Sequence, residues 1–186
     1  VEVIRDKSRM LLPTRRVRDS VTSLVQERGI TQAMFGAAAP LALLAPALRT
    51  HGVQQIVALT HGHEVWWAKI PPFSFAMRRI GKHVDHLTYL GEFTRREISR
   101  ALSKQARDAM VKVAPGIDIE HFYPRDARAL RDALGLTGKK VIVSVGRLVP
   151  RKGQDVLLRA VPEIVRAVPD AHVLLVGSGG YEKKLR

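Results

Sequence analysis

The chain has 186 residues, 46% of them hydrophobic and 26% charged, enough apolar matter for the core of one ordinary domain or of two small ones. Its 31 Lys and Arg outnumber 17 Asp and Glu, and the resulting net charge of +14 favours anionic partners: nucleic acid, an acidic membrane face or phosphorylated substrates. With no cysteine, a disulfide framework and a thiolate zinc site are both excluded, in keeping with a reducing compartment.

Val1 to Ile4 alternates like a strand. The opening residues show neither an initiator methionine nor a signal-peptide layout, and the chain stops in GSGGYEKKLR just as a helix should start. The sequence is therefore expected to be an internal part of a longer protein. Thr14, after Pro13, can cap a helix that places Val17, Val21, Leu24 and Val25 on one face and ends at Gly29. Ile30 to Leu48 is nearly free of charge over about the length of a bilayer span. Gln32, Gly36, Pro40, Pro46 and the bulk of alanine there favour a strand at Gln32 to Ala37 and a buried helix at Leu41 to Arg49 over a transmembrane segment. Gly52 breaks that helix. Gln55 to Thr60 is a strand with the continuous apolar run of a parallel strand covered on both faces, ending in His61-Gly62-His63-Glu64.

Pro71-Pro72 opens a helix over Phe73 to Lys82, and Asp85 to Leu90 is a short strand. Thr94 with Glu97 three residues on predicts a capping box for the helix that carries Ile98 and Leu102. Ala109 to Val113 is the next strand. The irregular run through Pro115-Gly116-Ile117-Asp118 to Phe122-Tyr123-Pro124 marks a boundary, dividing the chain into 1–114 and 115–186. Asp126 to Leu134 reads as a helix closed by Gly135. Val141 onward is a buried strand running into Gly146-Arg147-Leu148-Val149-Pro150-Arg151-Lys152-Gly153, followed by a helix from Gln154 to Val168 that contains Pro162. Ala171 to Val176 is a further buried strand, ending in Gly177-Ser178-Gly179-Gly180. Strands alternate with helices throughout, so the fold class is α/β with parallel sheets in doubly wound units and ligands at the carboxyl ends of the strands.

Four places carry residues with chemistry in reach. Arg147 and Lys152 follow a strand and precede a helix N-terminus; a guanidinium fork and a compact ammonium can hold a diphosphate from two sides, whereas the plain alternative is a solvated basic loop. Gly177, Ser178 and Gly179 form a second loop at the end of the neighbouring strand, either a tight strand-to-helix turn or a ligand contact, without the third glycine of a dinucleotide fingerprint. His61 and His63 flank Gly62: H-x-H on an extended segment can ligate a metal, as in a metallophosphoesterase, or one ring can face a ligand, or both can simply be satisfied at a strand end. Trp66, Trp67, Lys69, Phe73, Phe75, Arg78, Arg79 and Lys82 interleave aromatics with cations, the makings of a membrane-surface patch, a single-strand nucleic-acid face or an amphipathic helix with its aromatics inside.

Together these motifs resemble a known family. VIVSVGRLVPRKGQDVLLRAVPEIVRAVPDAHVLLVGSGGYEKKLR is similar to the start of the nucleotide-binding domain of family 4 retaining glycosyltransferases, of GT-B fold. FGAAAPLALLAPALR, VALTHGHEVWWAK and the run through EFTRREI to PGIDIEHFYP resemble the same family, in particular its actinobacterial GDP-mannose-dependent mannosyltransferases acting on phosphatidylinositol mannosides. The resemblance implies parts of two Rossmann-like domains, an acceptor-side one over 1–114 and a nucleotide-sugar-binding one over 115–186. It implies that Gly146, Arg147 and Lys152 grip the donor diphosphate and that Gly177, Ser178 and Gly179 line the nucleotide side. His61 would be the catalytic histidine near the transferred sugar, facing the basic pair across a cleft, with His63, Glu64 and Trp66 towards acceptor or sugar. It further implies mannose transfer from GDP-mannose to an anionic phosphoinositide-type lipid, with no metal or cofactor and no nucleic-acid partner, in a cytoplasmic protein peripheral on the inner membrane face. The family's glycine-rich loop would precede Val1 and its two glutamates would follow Arg186, so the stretch in hand is expected to be inactive alone.

Overall fold

The computed structural model describes residues 2–8 and 10–186, in two compact units, Val1–Ile117 and Asp118–Arg186.

The first unit begins with residues that join no sheet. Of the strand expected at Val1 to Ile4, Val1 lies outside the described residues, and Glu2 to Ile4 have no regular structure, with Val3 and Ile4 exposed. No neighbouring strand pairs with them, and Glu2 is instead held by the Arg28 guanidinium at 2.5 Å. Helix α1 (Arg15–Arg28) starts where Thr14 predicts, its hydroxyl accepting from the Val17 N–H at 3.3 Å, and ends at Gly29. Its Val17 and Val25 are buried. Strand β1 (Gln32–Phe35) follows, and then the expected single helix divides: Leu41–Leu44 is a 3-10 turn and Ala45–Thr50 is α2. Pro46 is the cause, since a residue without an N–H fits a first helical turn and not an interior.

Strand β2 (Gln55–Ala58) leads through α3 (Glu64–Lys69) and α4 (Phe73–His83) to β3 (His86–Tyr89), and α5 (Glu92–Ser99) and α6 (Lys104–Asp108) lead to β4 (Val111–Lys112). The order is β1-β2-β3-β4, all parallel, with Gln32 opposite Gln55, Val57 opposite His86 and Thr88 opposite Val111. Each parallel step needs a crossover, which the helices supply, and every strand therefore ends at the same edge. The core of the unit is one cluster running from Val17 through Ile56, Met77, Ile80 and Leu87 to Ile98 and Met110.

Two local expectations fail in this unit. Helix α3 is additional to the elements read from the sequence. The capping box is absent: α5 begins at Glu92 with Gly91 as its uncapped start, which puts Thr94 inside the helix. Glu97 is buried and drawn to cations instead, 3.0 Å from Lys69 and 3.1 Å from Arg100. The Lys69 ammonium first, with the charge of Arg100 and a bond from Arg96, holds the Glu97 carboxyl below the usual carboxylate range.

The second unit carries α7 (Arg128–Ala133), β5 (Lys140–Val145), a 3-10 turn at Pro150–Lys152, α8 (Gln154–Ala167), β6 (Ala171–Val176) and α9 (Glu182–Leu185). β5 and β6 pair in parallel from Lys140 opposite Ala171 to Val145 opposite Val176. Pro162 lies within α8 as expected. The two strands are not buried, however. No residue of either is fully covered, and Val143 and Val145 are 54% and 76% exposed. A two-stranded sheet with one long helix against it leaves most of its surface open. Among the described residues, no helix of the chain is long and apolar enough to cross a membrane.

Candidate functional site

In the first unit the chemistry gathers at the carboxyl end of β2, and the sequence around it explains why the loop holds its shape. Thr60, 1% exposed, donates its hydroxyl to the Thr88 carbonyl at 2.7 Å, and its N–H goes to the Thr88 hydroxyl at 3.2 Å. The end of β2 is thereby locked to β3 one residue before His61. The next anchor is Glu64, the first residue of α3 and wholly buried. Its Oε2 accepts the His61 N–H at 3.0 Å, closing the His61–Glu64 turn on itself.

Both imidazoles point Nε2 at carbonyls of the loop after β1. His61 Nε2 lies 2.6 Å from the Gly36 oxygen and His63 Nε2 lies 3.2 Å from that of Ala39. A carbonyl only accepts, so each Nε2 is a donor. His63 Nε2 is also 3.4 Å from Glu64 Oε1, too long for a good bond, and that buried oxygen has no hydrogen-bond partner. The pair is therefore turned towards main-chain oxygens, and among the described residues no group of three His, Cys, Asp or Glu comes together to hold a metal. His61 is exposed, and Trp66 is 54% exposed on α3, packed on Phe73 with ring centroids 5.0 Å apart.

The second unit builds its loops by backbone contact. The pairing of β5 with β6 continues past both strands: the Gly146 N–H donates to the Val176 carbonyl, the Leu148 N–H to the Ser178 carbonyl and the Tyr181 N–H to the Leu148 carbonyl, at 2.9, 2.9 and 3.1 Å. The two loops thus lie edge to edge with no room for a side chain at Gly177 or Gly179. A Cβ on Gly177 would sit 2.0 Å from the Gly146 oxygen, and one on Gly179 would sit 2.3 Å from the Leu148 oxygen. Sequence reasoning weighed these glycines as turn or ligand contact; the contact with Gly146 and Leu148 alone requires them to be glycine.

Arg147 and Lys152 project from this zipped loop, and both are exposed. Among the described residues neither takes part in an ion pair. The 3-10 turn between them is closed by the Lys152 N–H on the Val149 carbonyl, and Gly153 then opens α8, whose first turn has no side-chain cap. Uncapped N–H groups of a 14-residue helix beside two free cations suit an anion. The residue that sequence reasoning missed is Gln154. Its side chain is buried at 2% exposure, its Nε2 donates to the Arg147 carbonyl at 3.2 Å, and its Oε1 has no partner. Nothing in the local sequence separates it from an ordinary helical glutamine.

The comparison with known proteins bears on this loop directly, because residues 126–186 match the family model described as Glycosyl transferases group 1. The likeness extends beyond those residues. The GDP-mannose-dependent alpha-(1-6)-phosphatidylinositol monomannoside mannosyltransferase of Mycolicibacterium smegmatis is 44% identical over 186 residues, 99% of this chain and 48% of that protein. A GDP-mannose-dependent monoacylated alpha-(1-6)-phosphatidylinositol monomannoside mannosyltransferase of Corynebacterium glutamicum is 40% identical over 100% of this chain and 49% of its own length. The chain thus spans about half the length of the curated relatives it matches. Among solved structures, Anabaena HepE in complex with UDP superposes with a TM-score of 0.71 at 18% identity, covering 91% of this chain and 45% of HepE. The chain shares the α/β, parallel-sheet fold of GT-B glycosyltransferases.

Proposed function

We propose that the protein is a retaining glycosyltransferase that moves mannose from GDP-mannose to a phosphatidylinositol mannoside, at the inner face of the membrane and without a metal. The observation that carries the reading is the 44% identity, over 99% of the chain, to an enzyme of that name. Residues 1–114 serve the acceptor and residues 115–186 the nucleotide sugar. In the reaction the bond from the anomeric carbon to the diphosphate oxygen breaks, and GDP leaves with the electron pair. An acceptor hydroxyl oxygen bonds to the same face of the anomeric carbon and gives up its proton to the departing diphosphate oxygen.

Negative charge grows on the departing diphosphate, and in this reading Arg147 and Lys152 meet it. One unit charge pair at about 4 Å is worth roughly 4 kcal/mol at an effective dielectric of 20. Gly146 lets the main chain approach the phosphates, and Gly177, Ser178 and Gly179 border the nucleotide. His61 stands near the transferred sugar, while His63 and Trp66 stand on the acceptor side. Glu64 acts through the loop it closes, since its carboxylate is buried.

The test supplies GDP-mannose and the lipid acceptor to the full-length protein. Lys152→Ala is expected to lower kcat/KM by about 100- to 1,000-fold, the range for losing one preorganised charge donor. Mannose transfer at the wild-type level in that variant would remove the proposed role of Lys152.

A further inference from the structure

The second unit is open over most of its surface, and among its described residues only Leu136, Leu148 and Gln154 are buried. The most deeply covered of the three is the amide, at 2% exposure against 4% and 5% for the leucines. An amide is at ease in such a place only where its polar atoms find partners. Here one does and one does not: Gln154 Nε2 donates to the Arg147 carbonyl at 3.2 Å, and Oε1 has no partner. A leucine or methionine of similar size would fill the same space with no unmet oxygen. Packing alone therefore does not account for a glutamine, and the bond to Arg147 is what the amide adds.

Its value lies in the peptide that it reaches. The peptide joining Arg147 to Leu148 is planar, so its carbonyl and its N–H turn together. The N–H, on Leu148, donates to the Ser178 carbonyl at 2.9 Å. The carbonyl, on Arg147, accepts from Gln154 and from the Val149 N–H at 3.0 Å. The plane is thus held between the loop of residues 177–179 and the first residue of α8. The Arg147 side chain leaves from the Cα at the edge of that plane, so fixing the plane limits the directions open to the guanidinium. Among the described residues, the Gln154 bond is the only side-chain hydrogen bond made to residues 146–153. The other bonds there are main-chain bonds, such as those from the Lys152 and Gly153 N–H groups to the Val149 and Pro150 carbonyls, which do not depend on side-chain identity.

We propose that Gln154 is a positioning residue for Arg147, holding its peptide plane so that the guanidinium is already aimed when a diphosphate arrives. The inference rests on the proposed role of Arg147 at the donor diphosphate. Gln154 acts from beneath the loop, through Arg147. Without it, the plane and the side chain it carries would have to be ordered at the moment of binding, and affinity would fall by the cost of that ordering.

The test is a double-mutant cycle on GDP affinity, measured by titration calorimetry on the full-length protein. Gln154→Leu should weaken GDP about tenfold, the scale of one hydrogen bond to a charged group, and Arg147→Ala at least as much. In the Arg147→Ala background, adding Gln154→Leu should weaken GDP no further, because the side chain that it aims is gone. A merely structural glutamine would instead lower affinity by the same factor in both backgrounds. That outcome would overturn the proposal and leave Arg147 as a diphosphate contact. Unchanged GDP affinity in Arg147→Ala alone would remove the reading of Arg147 and the proposal with it. Gln154→Met, unbranched and of similar length, covers the case of a leucine that does not fit, and circular dichroism reports the folding of every variant. Wild-type GDP affinity in a folded methionine variant would equally sink the proposal.

Discussion

Gly177 shows how a single residue can be fixed by packing before any ligand is considered. Its neighbour across the loop is the Gly146 carbonyl, 2.0 Å from where a Cβ would be, and its φ of +147° disfavours any other residue. Gly177→Ala must therefore push the two loops apart, breaking the bond from the Gly146 N–H to the Val176 carbonyl. We expect a loss of about 2–4 kcal/mol from the overpacking and the backbone strain together, read as a lower urea midpoint. Nucleotide affinity should fall with it, because Arg147 is rooted in the displaced loop. An alanine variant with unchanged stability would show that the loops do not lie edge to edge. Gln154 fills the complementary role inside the turn, where its amide holds the Arg147 carbonyl.

At the scale of elements, Asp85 joins three of them. Its Oδ2 accepts the Ile56 N–H at the start of β2 at 2.6 Å and the Arg49 guanidinium of α2 at 2.7 Å, just before β3 begins. Arg49 in turn donates to the Gln54 carbonyl. Burial pushes the Asp85 carboxyl up, but the Ile56 N–H and Arg49 outweigh it and leave the group below its ordinary 3.8. Its contribution to stability is then fully present above that value and is lost as pH falls through the lower, folded-state value. Asp85→Asn should cost about 1–2 kcal/mol near neutral pH, the lower part of the range for bonds to a charged group because the side chain is partly exposed. Urea midpoints measured across the acid range should converge for variant and wild type. A gap that stays constant down to the lowest pH would mean that the charge of Asp85 is not what joins the elements.

The same pairing marks where the sequence stops being informative. The alternation of strands and helices was legible because period and punctuation are local: Thr14 and Gly29 bracket α1, and the apolar runs before His61 and Gly146 are strands. Arg49 with Asp85, and Thr60 with Thr88, are 36 and 28 residues apart and leave no local sign. Thr94 and Glu97 had the right spacing for a cap, yet Glu97 is claimed by a lysine on another helix. An apolar run identifies a strand without saying what covers it, hence the exposure of β5 and β6. In the candidate site, the cations and histidines could be named from the sequence, but the buried Gln154 and the burial of Glu64 could not.

Over the whole molecule the charge is unevenly shared. Residues 1–117 hold 18 Lys and Arg against 9 Asp and Glu, a net +9, while residues 118–186 hold 13 against 8, a net +5. A basic surface of this kind attracts any nucleoside diphosphate, so the base must be chosen by something more specific than charge. The fold does not choose it either, since HepE, solved with UDP, shares the architecture at only 18% identity. Relatives alike along the full chain at 40–44% identity are named for GDP-mannose. We therefore expect GDP to displace labelled GDP-mannose from the full-length protein at least about tenfold more tightly than UDP, a difference of about 1.4 kcal/mol, the scale of one or two hydrogen bonds to the base. Both diphosphates should lose affinity by the same factor in Arg147→Ala if that residue, as proposed, meets the phosphates and not the base. Displacement by UDP at the same concentration as GDP would keep the diphosphate clamp and overturn the choice of donor.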